Sequence, residues 1–308
     1  RLTVMMVNRE IEGAVATVSA ALTRDVPPVT TGEADWVCWR GPNGDGRSYV
    51  QGIRTDWTGG LRRLWEVNYL CQNASSATWS APVVQGNRLV VVGREAGSDL
   101  VFCLGPEQGN LIWKASLPAK ARESYGTGAR ATPWIDGDRV YTFGRSGDLV
   151  CWGLEKGDTI WHRNVSDVGG AESQWGHASS PLVTDLLVVV AGGGSARTVA
   201  YDKLTGELRW KAGNGKAGYA AIAKIAIGGR QIALSFHGKG LAAVDLADGR
   251  ELWDLPWETS YDVNATTPVV AGDKVFLTSG YGTGCGLLKF AASSTEVLWE
   301  SEAIASQH

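Results

Sequence analysis

The residues best suited to nucleophilic or metal chemistry in this 308-residue chain are four histidines and five cysteines. Cys38, Cys71, Cys103, Cys151 and Cys285 contain no C-x-x-C pair, the spacing of zinc knuckles and redox motifs. Neither G-x-S-x-G nor H-E-x-x-H occurs. Asn43-Gly44-Asp45-Gly46 begins like a calcium loop but lacks its distal Glu, so it reads as a polar turn. Two Gly-rich stretches, Gly192 to Gly194 and Gly280 to Gly286, each join one strand pattern to another. A phosphate cradle would instead open a helix. The sequence therefore picks out no catalytic residue and no metal-ligand set. His177 is the histidine that stands apart. It has Trp175 beside it, and Tyr219, Tyr261 and Asn264 fall at comparable places further on. If those places surround one channel, the five residues form a ring of polar and aromatic groups that suits a small ligand or a peptide. The plainer reading is that the same groups hydrogen-bond neighbouring loops.

What must position them is a set of strands. Forty-four per cent of the residues are hydrophobic and 20% charged, ordinary values for a globular protein with a large core. The net charge is −3 and no basic run occurs, which disfavours a nucleic-acid surface. No run of 18 apolar residues is present to span a membrane. Fourteen Trp and 40 Gly are the unusual counts. Glycine spread along a chain marks many turns, and excess Trp marks one large side chain reused.

The chain repeats itself. Trp65, Trp113, Trp161, Trp210, Trp253 and Trp299 recur about every 46 residues. Four residues before the Trp stands Gly109, Gly157, Gly206 or Gly249, while Leu61 and Thr295 take that place in the first and last copies. Each unit reads as four short strands bounded by Gly, Asn and Asp. In the unit ending at Trp113, a strand follows Ser80-Ala81-Pro82, then come RLVVVG, LVFCL and LIWKASL. Four strands per unit of about 46 residues predicts an all-β fold, a β-propeller of four-stranded antiparallel blades. The Gly allows the tight turn before the fourth strand, and the Trp is expected to lie between adjacent blades. Cys103 and Cys151 stand where other copies have Ala, which predicts small buried positions.

Ala200 to Trp210, AYDKLTGELRW, carries an A-x-D-x-x-T-G-x-x-x-W pattern, and Ala243 to Trp253 departs from it only by Asp248 in place of Thr. On these residues the chain resembles the PQQ-binding-like β-propeller repeat family, the quinoprotein alcohol dehydrogenase-like propellers. Trp39 to Gly44, Trp175 to Pro181 and Tyr261 to Asn264 resemble segments of the same group. The resemblance covers residues 36 to about 300 and implies an eight-bladed ring and a periplasmic or secreted location. It leaves function open, because such propellers serve both as quinone-dependent dehydrogenases and as a scaffold in outer-membrane β-barrel assembly. The enzymes hold PQQ over a Trp, often under a vicinal disulfide, with a Ca²⁺ bound by Glu, Asn and Asp. This chain has no adjacent cysteines and no evident Ca²⁺ trio, so no cofactor is expected and PQQ is implied by resemblance alone.

Two further expectations concern the ends. Trp65 belongs to a fourth strand with no first three ahead of it. The sequence therefore predicts about five complete blades plus an orphan strand over residues 36–308, incomplete at the C-terminus as a fragment or an open ring. Residues 1–35 read as a leader or linker outside the fold; Gly13 to Leu22 is a short apolar run without the basic residues a signal peptide would place ahead of it. The favoured function is a non-catalytic propeller that binds a protein or small ligand. The alternative is a PQQ-dependent dehydrogenase whose site lies partly in missing blades.

Overall fold

The computed structural model describes residues 2–6, 16–18, 32, 35–72, 78–120, 126, 128–291 and 294–306. Five four-stranded antiparallel sheets follow one another along the chain. Blade one comprises β4 (Val83–Gln85), β5 (Arg88–Glu95), β6 (Ser98–Leu104) and β7 (Leu111–Pro118). Blade two comprises β8 (Trp134–Asp136), β9 (Arg139–Phe143), β10 (Asp148–Gly153) and β11 (Thr159–Asn164). Blade three comprises β12 (Leu182–Val183), β13 (Leu187–Val190), β14 (Thr198–Asp202) and β15 (Leu208–Ala212). Blade four comprises β16 (Ala223–Ile227), β17 (Arg230–His237), β18 (Gly240–Asp245) and β19 (Glu251–Pro256). Blade five comprises β20 (Val269–Ala271), β21 (Lys274–Ser279), β22 (Gly284–Ala291) and β23 (Ser294–Ser301).

The strand around Trp65 is not an orphan. β3 (Arg62–Val67) lies between β1 (Leu2–Met6), antiparallel, and β2 (Ala16–Val18), parallel. Two stretches expected to lie outside the fold thus pair with it. The apolar run Gly13 to Leu22 falls otherwise outside the described residues.

The core is distributed over the seams between sheets. One apolar cluster joins Trp65 and Val67 to Leu89, Val91 and Phe102 of blade one. Four more join blades one and two, two and three, three and four, and four and five. The repeated Trp sets each seam. Trp113 Nε1 donates to Leu154 O at 2.8 Å, Trp161 to Lys203 O at 3.0 Å and Trp210 to Leu246 O at 3.1 Å. Trp65 does the same to Pro106 O at 2.9 Å. Each acceptor lies three residues before the turn glycine of the next blade.

That glycine has a second reason to be glycine. Gly157 has φ +73°, and a Cβ on it would sit 2.5 Å from the ring of Trp113. Gly109, Gly206 and Gly249 face Trp65, Trp161 and Trp210 in the same way. The residue is small because the preceding blade's indole lies against it, as well as because the turn is left-handed.

Small residues opposite the Trp have a cause of the same kind. Cys103, Cys151, Ala200 and Ala243 pair across the sheet with Trp113, Trp161, Trp210 and Trp253, and a β-bulge follows each pair. All four are fully buried. The rule weakens in blade five. Trp253 packs on Phe290, ring centroids 4.6 Å apart. Trp299 is 45% exposed and touches Phe276 of its own blade, with no following sheet among the described residues to cover it.

Candidate functional site

In an up-and-down blade, the connections between blades and the turns between second and third strands share one end. The connections carry the site. Extended residues alternate in direction, so every second residue before a first strand faces the central axis. Those residues are Trp79, Arg130 and Thr132, Ala178 and Ser180, Tyr219 and Ala221, and Ala265 and Thr267, one set per blade. With Trp39, Trp175 and Val263 they line a cavity of about 620 Å³, most of whose wall is apolar.

Trp39 comes from a segment that threads the inner edges of the blades. Trp36 exchanges backbone hydrogen bonds with Val84 of β4 at 2.8 and 2.9 Å, and Ile135 N donates to Val37 O at 2.8 Å. The Trp39 indole then reaches Thr267 Oγ1 of blade five at 2.9 Å. The cup is therefore walled by four aromatic rings from four separate stretches of chain. Trp175 and Tyr219 stack with centroids 5.6 Å apart. Arg130 lies over the ring of Trp79 at 5.0 Å, a cation–π arrangement. Burial, reinforced by Arg145, brings the Arg130 guanidinium down to about 10.

Of the five residues picked out by sequence, Trp175 and Tyr219 line the cup and the other three do not. His177 is buried beneath it, 2% exposed, against Phe143. Burial pushes its imidazole down to about 4, so Nδ1 of the neutral ring donates to Ala191 O at 3.1 Å. Asn264 is wholly buried. Its amide donates to His237 O at 2.7 Å and Trp257 O at 3.1 Å, and its oxygen accepts from Thr259 and Ser279. Both residues hold neighbouring loops together, and neither lines the cup. Tyr261 points outward, 66% exposed, against Tyr281. Trp39, Trp79 and Arg130 were missed. Their signal was the offset from proline: Trp79, Arg130, Ala178 and Ala265 each stand three residues before the Pro of their blade.

A quinone–calcium centre would need oxygen ligands at this place. Among the described residues, those lining the cup include no carboxylate and no side-chain amide, and all five cysteines are free thiols. The donor set does not fit such a centre. Asp45 of the calcium-like turn instead accepts hydrogen bonds from Arg47 N and the Tyr49 hydroxyl. Among the described residues no helix is long and apolar enough to cross a membrane.

Fold and site together define a β-propeller of four-stranded blades with an aromatic cup at one end of its axis. The family model described as outer membrane protein assembly factor BamB matches residues 57–132 and 122–308, and the chain belongs to that PQQ-like repeat family. BamB from Moraxella catarrhalis superposes with a TM-score of 0.52 at 21% identity, over 76% of this chain and 64% of that one. Quinohemoprotein alcohol dehydrogenase from Comamonas testosteroni gives 0.54 at 16% identity, over 83% of this chain and 46% of that one. The dehydrogenase ADHIIG from Pseudomonas putida HK5 gives 0.55 at 13% identity, over 88% and 48%. The chain thus spans less than two thirds of the BamB structure and about half of either dehydrogenase. No curated protein matches the sequence.

Proposed function

We propose that this propeller is an extracytoplasmic binding scaffold whose aromatic cup captures an apolar segment of a protein partner. The observation that carries the reading is the cup itself: four aromatic rings from separate stretches of chain, converging on about 620 Å³ with no carboxylate among the described residues of its wall. Such a cavity is the size of small-ligand and peptide pockets, and Trp and Tyr are the side chains on which binding energy concentrates. Membership of the BamB family supports a scaffold role at the periplasmic face of the outer membrane.

Selection of a displayed random-peptide library on the protein tests it. Apolar sequences should be enriched on the native protein and lost on Trp175→Ala with Tyr219→Ala, two cup residues whose removal leaves every seam intact. Enrichment that survives the double variant overturns the cup as the site.

The dehydrogenase-like fold favours one second reading, a quinone-dependent oxidoreductase. Titration with PQQ and Ca²⁺ separates the two. Quinone absorbance retained on the protein, with dye-linked alcohol oxidation, supports the enzyme. Absence of binding at high micromolar quinone removes it.

A further inference from the structure

The opposite end of the blades holds a second hollow, of about 1060 Å³, between blades three and four. It is walled by turns that cannot reach the cup: 184–187 and 229–231, which join first to second strands, and 245–250, which joins third to fourth.

The neighbouring seam shows one way in which such a space is filled. Between blades two and three, Tyr141 donates its hydroxyl to Lys203 O at 3.0 Å. Arg139 donates to Leu204 O at 3.2 Å. Arg163 donates to Gly206 O at 2.7 Å and Thr205 O at 3.3 Å. Side chains of blade two thus cap the carbonyls of blade three's turn one after another.

Blade three offers blade four no such cap. Strand register makes Leu187, Val189 and Ala212 the counterparts of Arg139, Tyr141 and Arg163. None can donate a hydrogen bond from its side chain. Leu246 O still receives the Trp210 indole. The next three carbonyls, of Ala247, Asp248 and Gly249, have no donor among the described residues. The hollow is therefore an inter-blade seam without the caps of blade two, an apolar floor of Leu187 and Trp210 beneath carbonyls that no side chain reaches among the described residues.

We propose that this hollow is a second binding site, and that it takes a tyrosine-bearing segment of a protein partner in the manner of Tyr141. The ring suits the apolar floor and the hydroxyl suits the carbonyls. Charge argues for an uncharged donor. Four cationic residues and three acids share the wall, and Arg230 is already tied to Asp245 at 2.7 Å. Arg209 is tied to Asp202 at 3.5 Å, which leaves two wall residues of each sign, so neither sign of ligand gains a net attraction.

The probe is the blocked tripeptide acetyl-Ala-Tyr-Ala-amide, titrated into the ¹⁵N-labelled protein. Shifts are expected at the Trp210 indole and at the amides of 247–249. The Phe analogue should bind about fivefold more weakly, the loss of one neutral hydrogen bond. Arg- and Glu-centred analogues should bind more weakly than the Tyr peptide. Leu187→Arg, Val189→Tyr and Ala212→Arg together rebuild the blade-two plug and should abolish the shifts. Leu187→Arg alone, checked by circular dichroism, serves if the triple variant does not fold. Equal binding of Tyr and Phe peptides, shifts that persist in the plugged variants, or shifts that vanish in Trp175→Ala would each overturn the assignment; the last would place the probe in the cup.

Discussion

Trp210 and Trp299 hold the same place in their blades and meet opposite surroundings. Trp210 is 8% exposed, bonded to Leu246 O, with Gly249 against its ring. Trp299 is 45% exposed, and Val297, Leu298 and Ile304 around it are exposed as well. The same Trp thus meets different energetics where the glycine and the small residue of the repeat are replaced, by Thr295 and Lys289. The residue alone does not make the seam. The seam needs the left-handed glycine, the carbonyl three residues before it and the apolar face of the following sheet.

The most severe way to break the contrast is truncation. Trp161→Ala should lower unfolding stability by about 3–5 kcal/mol in urea titration, since it empties a buried site. Trp299→Ala should lower it by no more than about 1 kcal/mol. Equal losses would refute the docking account. Gly157→Ala comes next, at about 2–4 kcal/mol, because left-handed backbone and a displaced Trp113 ring both add cost. Gly272 has a similar φ of +62° and nothing within 4 Å of a Cβ. Its replacement should cost only the backbone part, about 1–2 kcal/mol.

Acid sharpens the comparison from another side. Burial holds His177 at about 4 in the folded protein, against about 6.5 in an unfolded chain. The unfolded state therefore binds the extra proton between those values, and stability falls as pH drops from 6.5 towards 4. The loss approaches about 3 kcal/mol by pH 4. His177→Gln should flatten that limb of a stability–pH curve, while Trp299→Ala leaves it unchanged. The smallest effect is expected of Lys203→Met. Its pair with Asp136, 2.6 Å apart and partly exposed, should contribute under about 1 kcal/mol. Thermal denaturation in low and high salt reads it.

The blades were legible in sequence because Trp and Gly recur at a fixed offset, and that offset is the docking contact itself. Trp175 and Tyr219 were legible as channel residues by equivalence between repeats. His177 and Asn264 follow the other reading open to them, hydrogen bonding of neighbouring loops, because a polar side chain that satisfies a buried loop and one that faces a ligand look alike in a sequence. Trp79 and Arg130 were missed although alternation ahead of each proline points them to the axis. The pairing of β1 and β2 with β3 had no signal to read: register between residues about 49 to 65 positions apart is set by contacts, and no turn motif announces it.

The Trp39 indole and Thr267 hydroxyl are joined across 228 positions of chain. Closing so long a loop has a high entropic cost until the blades between are already in place. The contact therefore belongs to the end of folding. A nascent or partly unfolded chain has no finished cup, so capture of a partner there would report that all five blades are complete.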